Sequence, residues 1–377
     1  MIAGVVAAMA ALLFLAPSPA ATEVVPQGVP FSGYRGIALS LHAQPTAEDV
    51  DKIAAWGVNL VRLVIHADPE VKNYDDFYAH DGHAFNEAAF AKLDRVIDLL
   101  GSRNIRVNLC LHDFPGAASG KVWLDFTYWR ELERLWSALA SRYRDRSTVI
   151  AYEIMNEPRV AGDRAGTLDR NLMRLGTWSF PAAWANTPRD YPGLFERLGT
   201  IINRLAPDKT VIVPAVGIGG APGNFSWMRP VRVANVVYTF HMYLPHAFTD
   251  SGKAGAAGEP YDRARSRDAI LKAMGPAERF AKEWNARIYV GELGLSHATE
   301  GRGARDWMMD VLGYLEQQGW SWTYWTYSID FRNPETIRGP GGTLVKRSDT
   351  ERLTVLREYW ARNGATSGTK PPDQVRQ

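Results

Sequence analysis

The strongest constraint on the fold of this chain is an alternation of two textures. Short β-rich runs appear at GIALSL (36–41), VNLVRLVI (58–65), RVNLCLHD (106–113) and TVIAYEIMNEP (148–158). Further runs follow at TVIVPAVG (210–217), NVVYTFHMYLP (235–245), RIYVGELGLS (287–296) and WSWTYWTYS (320–328). Amphipathic stretches separate them. In FNEAAFAKLDRVIDLLG, Phe90, Leu93, Ile97 and Leu100 recur at helical spacing and the pattern stops at Gly101, as a helix face does. TAEDVDKIAAWG, YWRELERLWSALASRYR, FERLGTIINRL, DWMMDVLGYLEQQG and RLTVLREYWAR read the same way. DAILKAMGPAERFAKEW should break at Gly275-Pro276, since proline lacks the donor that a helix interior needs. Near-continuous apolar strands alternating with helices imply a parallel sheet covered on its outer face. Eight of them predict an α/β fold, a single-domain (β/α)8 TIM barrel rather than an open doubly wound sheet. The glycine cluster GIGGAPGN (217–224) follows the fifth strand without dinucleotide spacing, so a nucleotide site is set aside.

Composition narrows the function classes. A net charge of +2 with no Lys/Arg run argues against a nucleic-acid partner. Cys110 is the single cysteine, which excludes an intrachain disulfide and a multi-cysteine metal site. The 13 Trp and 15 Tyr fill cores, and also suit a surface that stacks on sugar rings. Ile2 to Ala16 is apolar and breaks at two prolines, a length that fits a signal-peptide core better than a membrane span. The expected organisation is a signal peptide at 1–20, one barrel domain at 28–365 and a disordered tail at 366–377. Secretion or a periplasmic location follows, as a monomer without stable membrane association once the leader is cleaved.

In a barrel of this kind, polar side chains at strand C-termini are the candidates for chemistry. Arg62 sits inside LVRLVI, His112-Asp113 end the third run and Asn156-Glu157 the fourth. His241 and Tyr243 lie in the sixth, Glu292 in the seventh and Trp325 in the eighth. A charge in an apolar run needs a partner, and an arginine converging on two carboxylates would supply one. Two carboxylates across a barrel mouth are the minimum for glycoside hydrolysis. Arg62 and a tyrosine hydroxyl near one of them would keep it ionised, while the other, desolvated beside a negative charge, would have its pKa raised. That assigns Glu292 as nucleophile and Glu157 as acid/base, if Arg62 and Tyr243 lean toward the seventh strand. Glu153, four residues deeper than Glu157, reads as a buried structural carboxylate. Asp113 either contacts substrate or caps a turn. DDFYAHDGH (75–83) reads as a solvated loop rather than a metal site. Each residue alone has a bland reading as strand terminator, core ion pair or packing. Their shared placement at one rim favours a site.

NEP in the fourth run, H-x-Y in the sixth, GE in the seventh and a tryptophan in the eighth resemble glycoside hydrolase family 5, retaining β-glycosidases of clan A. The resemblance spans about residues 58–328. It implies Glu157 as acid/base, Glu292 as nucleophile, and Arg62 and Tyr243 as its supports. It also implies His112, Asn156 and His241 lining the glycone subsite, Trp325 as its stacking floor, and a cis peptide at Trp325-Thr326. No cofactor or metal is called for. The implied activity is retaining, endoglucanase-like hydrolysis of a β-glucan; a β-mannanase, an exo-β-1,3-glucanase or a non-catalytic carbohydrate-binding barrel are the alternatives. A polysaccharide or oligosaccharide is the expected partner. The long loop at 159–190, with Trp178, Phe180 and Trp184, should help shape its subsites.

Overall fold

The computed structural model describes residues 31–365 except 71–74, 76, 78–84, 118, 160–183, 253–257, 330 and 340–341. The expected leader and tail, most of DDFYAHDGH, and Trp178 and Phe180 lie outside the described residues. Eight parallel strands close on themselves in sequence order, the last pairing with the first. They are β1 (Arg35–Ser40), β2 (Leu60–His66), β3 (Arg106–Asp113), β4 (Val149–Glu153), β5 (Thr210–Pro214), β6 (Val236–Met242), β7 (Ile288–Leu293) and β8 (Ser321–Tyr324). Outside them run α1 (Ala47–Ala55), α2 (Glu87–Gly101), α3 (Phe126–Tyr143), α4 (Tyr191–Leu205), α5 (Arg263–Ala273), α6 (Gly275–Trp284), α7 (Ala304–Gln318) and α8 (Glu351–Trp360). The predicted TIM barrel is thus the observed one.

Local chemistry explains the helix ends. Thr46 caps α1 through a reciprocal box with Asp49, satisfying donors that have no partner inside the helix. Asn86, Asp125 and Asp190 accept from first-turn amides of α2, α3 and α4 in the same way. The GP break falls where proline demands it: α5 ends at Ala273 and α6 restarts at Gly275 with Pro276 in its first turn. No α-helix follows β5, where two 3-10 turns (Ile218–Gly220 and Pro222–Ser226) lead to β6.

Inside the barrel, Leu60, Ala151, Ile212, Val237 and Tyr289 make an apolar plug with Phe31. Two residues further along their strands, Arg62, Glu153 and Thr239 replace carbon with polar atoms, all buried. The change from plug to polar layer within one inward-facing row marks the barrel floor against its mouth.

The strands are shorter than the apolar runs suggested. β4 stops at Glu153, so Asn156 and Glu157 lie beyond it, and Tyr243 and Trp325 each stand one residue past β6 and β8. The chain still hugs its neighbour, since the Asn156 amide donates to the Leu111 carbonyl at 3.0 Å. Glu157 then adopts a φ of 39°, a left-handed conformation that costs a non-glycine residue roughly 1 kcal/mol or more. The turn at Glu157 and the proline after it end the regular ladder and swing the carboxyl over the mouth.

Candidate active site

Register shifts decide which side chains enter the mouth. β6 and β7 pair Phe240 with Val290 and then His241 with Glu292, leaving Gly291 as an extra residue. That bulge reverses the alternation along β7, so Glu292 faces inward, on the same side as Tyr289. A similar shift opposes His66 to Asp113 on β2 and β3, which lets the adjacent His112 and Asp113 both reach the rim.

Arg62 organises the polar layer. Its guanidinium donates to Glu153 through Nε (2.8 Å) and Nη2 (2.5 Å), to Glu292 Oε1 through Nη1 (2.6 Å) and to Asn156 Oδ1 through Nη2 (2.8 Å). The two carboxylates that share the arginine are therefore Glu153 and Glu292, with Glu157 outside the set. Glu153 also accepts from the Asn108 amide at 2.8 Å, which confirms it as a buried, paired group. Burial raises its pKa, but the charge and hydrogen bonds of Arg62 lower it further, and the carboxylate form wins.

Glu292 receives a second donor, the Tyr243 hydroxyl, at 2.8 Å on Oε2. Arg62 and Tyr243 thus do lean toward β7. Burial works against ionisation of Glu292, whereas the charges of His241 and Arg62 lower its pKa on balance. Glu157 differs from expectation. Burial raises its pKa, but the hydrogen bond from His241 Nδ1 (2.7 Å) and the histidine charge bring it down to about 2. The expected raised value fails because His241 on β6 reaches Glu157, a cross-strand contact that no sequence spacing reveals. His241 is shifted upward in turn: burial opposes its charge, while Glu292 and Glu157 favour it. The proton of the mouth thus rests on the His241–Glu157 pair, toward the imidazole.

Carboxylate oxygens of Glu157 and Glu292 and a nitrogen of His241 all lie within 4.8 Å of one another. Glu157 keeps 28% of its side-chain surface exposed against 6% for Glu292, so the former meets solvent and the latter sits at depth. His112 stacks on Trp325 with ring centroids 5.2 Å apart and planes at 18°. Its Nε2 is 3.9 Å from Glu292 Oε1. The Trp325-Thr326 peptide is cis. The rim therefore gathers Arg62, His112, Asn156, Glu157, His241, Tyr243, Glu292 and Trp325 into one cluster.

Three further residues join it. Asp113 accepts from His66 Nδ1 in a short contact and lies 3.4 Å from His112 Nδ1. His66 was legible in principle, because Arg62, Val64 and His66 share one strand face. Gly220, from the glycine cluster set aside above, passes so close to the acid that a Cβ there would stand 3.2 Å from His241 Nδ1 and 3.3 Å from Glu157 Cγ. A second donor group, His66, His112 and Asp113, also has its atoms within 4.8 Å of one another. In both clusters these atoms already engage each other, and chemistry by paired carboxylates requires no metal.

Two facing carboxylates at the C-terminal rim of a closed barrel place this chain in the class of glycosidase-type TIM barrels. The family follows from comparison: the model of cellulase (glycosyl hydrolase family 5) matches residues 24–330, and the chain belongs to that family. Endoglucanase MaCel5A of Microbulbifer sp. (strain ALW1) is 24% identical over 297 residues, which are 76% of this chain and 45% of that protein. Cellodextrinase A of Ruminococcus flavefaciens is 21% identical over 338 residues, 83% of this chain and 89% of that one. Endoglucanase B of Clostridium cellulovorans is 25% identical over 273 residues, 69% and 54% respectively. The chain thus spans about half the length of both endoglucanases. Among solved structures, Cel5A of Thermotoga maritima in complex with cellobiose shares the fold at a TM-score of 0.65 and 21% identity, covering 86% of this chain and 97% of that one. The cellulose synthase subunit Z of Clostridioides difficile does so at 0.64 and 19%, covering 86% and 99%.

Proposed function

We propose that the protein hydrolyses β-glycosidic bonds of a β-glucan with retention of configuration, Glu292 acting as nucleophile and Glu157 as acid/base. The observation that carries this reading is the approach of the two carboxylates to within 4.8 Å. These nearest oxygens stand close to the separation of about 5–5.5 Å at which one carboxylate attacks carbon directly, and below the about 6.5–9.5 Å of inverting enzymes, which supports retention. Glu292, ionised between Arg62 and Tyr243, forms a bond to the anomeric carbon as the glycosidic C–O bond breaks. The leaving oxygen keeps the electron pair of the broken C–O bond and takes a proton from the Glu157–His241 pair. A sugar in the acceptor side of the mouth covers the exposed face of Glu157. The loss of water disfavours the separated charges and moves the proton onto the carboxyl. In the second half, Glu157 deprotonates a water that attacks the same carbon and frees Glu292. Asn156 and His112 face the ring that Glu292 attacks, over the indole of Trp325.

The β-glucan preference rests on the endoglucanase names of the relatives and on the cellobiose complex of a structural neighbour. The same neighbour has also been crystallised with mannotriose, so mannan belongs in the test. Wild type and Glu292→Gln are assayed on cellulose derivatives, mixed-linkage and β-1,3-glucans and mannan, with product anomers followed by NMR. Activity on β-1,4-glucan that survives in Glu292→Gln, or inverted product, overturns the proposal. Among the described residues no helix is long and apolar enough to cross a membrane. Export through the apolar leader is part of the same proposal, checked by sequencing the N-terminus of secreted protein.

A further inference from the structure

Resting on the reading of Glu292 as nucleophile, we propose that Asp113 is a positioning residue. It selects the tautomer of His112 and so keeps the imidazole proton away from Glu292, with His66 as its anchor. His112 shows its two nitrogens to two carboxylates: Nδ1 lies 3.4 Å from Asp113 Oδ2 and Nε2 3.9 Å from Glu292 Oε1. A neutral imidazole carries one proton, and whichever carboxylate accepts it decides what the other nitrogen offers. Burial opposes the charge of Asp113, but hydrogen bonds from His112 and His66 hold its carboxyl well below the usual range. Asp113 is therefore an ionised acceptor, and it draws the proton of His112 to Nδ1. Nε2 then faces the mouth as a bare lone pair.

This matters to Glu292. A proton on Nε2 would point toward Oε1, the oxygen already bonded to Arg62 at 2.6 Å, and would draw further on the charge that attacks carbon. The bare nitrogen leaves that charge available and accepts a hydrogen bond from a sugar hydroxyl. His66 completes the device. It is nearly buried on β2, donates Nδ1–H to the same oxygen of Asp113 and packs its ring 5.1 Å from that of His112. Its Nε2 lies 3.4 Å from the Ser40 hydroxyl on β1. The stack of His112 on Trp325 fixes the ring plane, so only the proton is free to move.

Asp113→Leu tests the assignment in the full-length protein. Its side chain is of similar shape but accepts from neither His66 nor His112, which share one oxygen of Asp113, so His112 returns to the Nε2–H tautomer that an unpartnered imidazole favours. Nitrogen-15 NMR of histidine-labelled enzyme, assigned with His112→Ala, reads the tautomer without reference to activity. We expect Nδ1–H in wild type and Nε2–H in Asp113→Leu. We also expect kcat to fall about 10- to 100-fold while KM stays within about twofold, since the loss acts on the transition state. His66→Gln, which only loosens Asp113, should give a mixed tautomer and a smaller fall in kcat. Nε2–H in wild type, an unchanged tautomer in Asp113→Leu, or a switched tautomer with unchanged kcat would each overturn the proposal. Loss of the nucleophile reading is distinguishable, because it shows as activity in Glu292→Gln and leaves the tautomer result standing.

Discussion

Arg62 Nη1 lies 2.6 Å from Glu292 Oε1, while the Nε and Nη2 edge of the same guanidinium holds Glu153. One cation, wholly buried, thus serves a structural carboxylate below and a reactive one above. Its five donors in a planar fork make that possible, where a lysine would offer a point charge. The arrangement couples stability to the site.

Replacing Arg62 by Met leaves Glu153 and Glu292 buried without their cation. Breaking a buried pair in this way costs about 3–5 kcal/mol. Denaturant unfolding of Arg62→Met should show that loss. Adding Glu153→Gln should recover part of it, because the orphaned charge is removed. A double variant no more stable than the single one would contradict the pairing.

The His241–Glu157 pair sets an expectation for pH. Against burial, His241 is shifted above its ordinary value of 6.5 by the neighbouring carboxylates Glu292 and Glu157, so the pair keeps its working proton above that pH and loses it as pH rises further. The alkaline limb of kcat/KM should therefore lie above pH 6.5 in wild type. In His241→Gln the proton rests on a carboxyl alone, which holds it less strongly. The limb should move to lower pH, as pH–rate profiles on an aryl β-glycoside would register.

Gly220 has a φ of 57° and runs against Glu157 and His241. Gly220→Ala adds backbone strain worth about 1 kcal/mol. Its methyl also displaces the acid by a few tenths of an ångström. Activity should fall at least about tenfold, with a modest change in thermal midpoint, because misplacing a reacting group costs more than strain does. A variant with normal kcat would show that the glycine does not position the acid.

Asp75 behaves oppositely to the site carboxylates. Burial is the leading cause that raises its pKa from 3.8 to about 6, against a hydrogen bond from the His66 amide. The folded protein then binds this proton more tightly than the unfolded chain does. Stability from this group is complete below pH 3.8 and is lost as pH rises to about 6. Asp75→Asn keeps an acceptor for the amide and removes the cost of ionisation, up to about 3 kcal/mol. Thermal unfolding should show the variant more stable than wild type at pH 7.5 and nearly equal to it near pH 4.

The barrel was legible in the sequence because its cause is local. Strands buried on both faces must be apolar throughout, helices must carry one apolar stripe, and the Gly275-Pro276 break follows from proline itself. Candidate site residues stood out for the same reason: Arg62, Glu292 and His241 interrupt runs in which a polar group is costly. Less visible was where each ladder would stop. β4 ends four residues before Glu157, since hydrogen-bond pairing depends on both neighbours and a run of apolar letters does not.

Composition and periodicity therefore determined by themselves the architecture and the rim on which polar residues collect, because burial acts on every residue of a strand independently. Tertiary structure alone decided who pairs with whom. The bulge at Gly291 turns Glu292 inward, Arg62 chooses Glu153 over Glu157, His241 takes hold of Glu157, and Asp113 stands between two imidazoles. These are contacts of a few ångströms between residues up to 230 positions apart. The energies that set protonation fall off over that same short range, so no spacing along the chain encodes them.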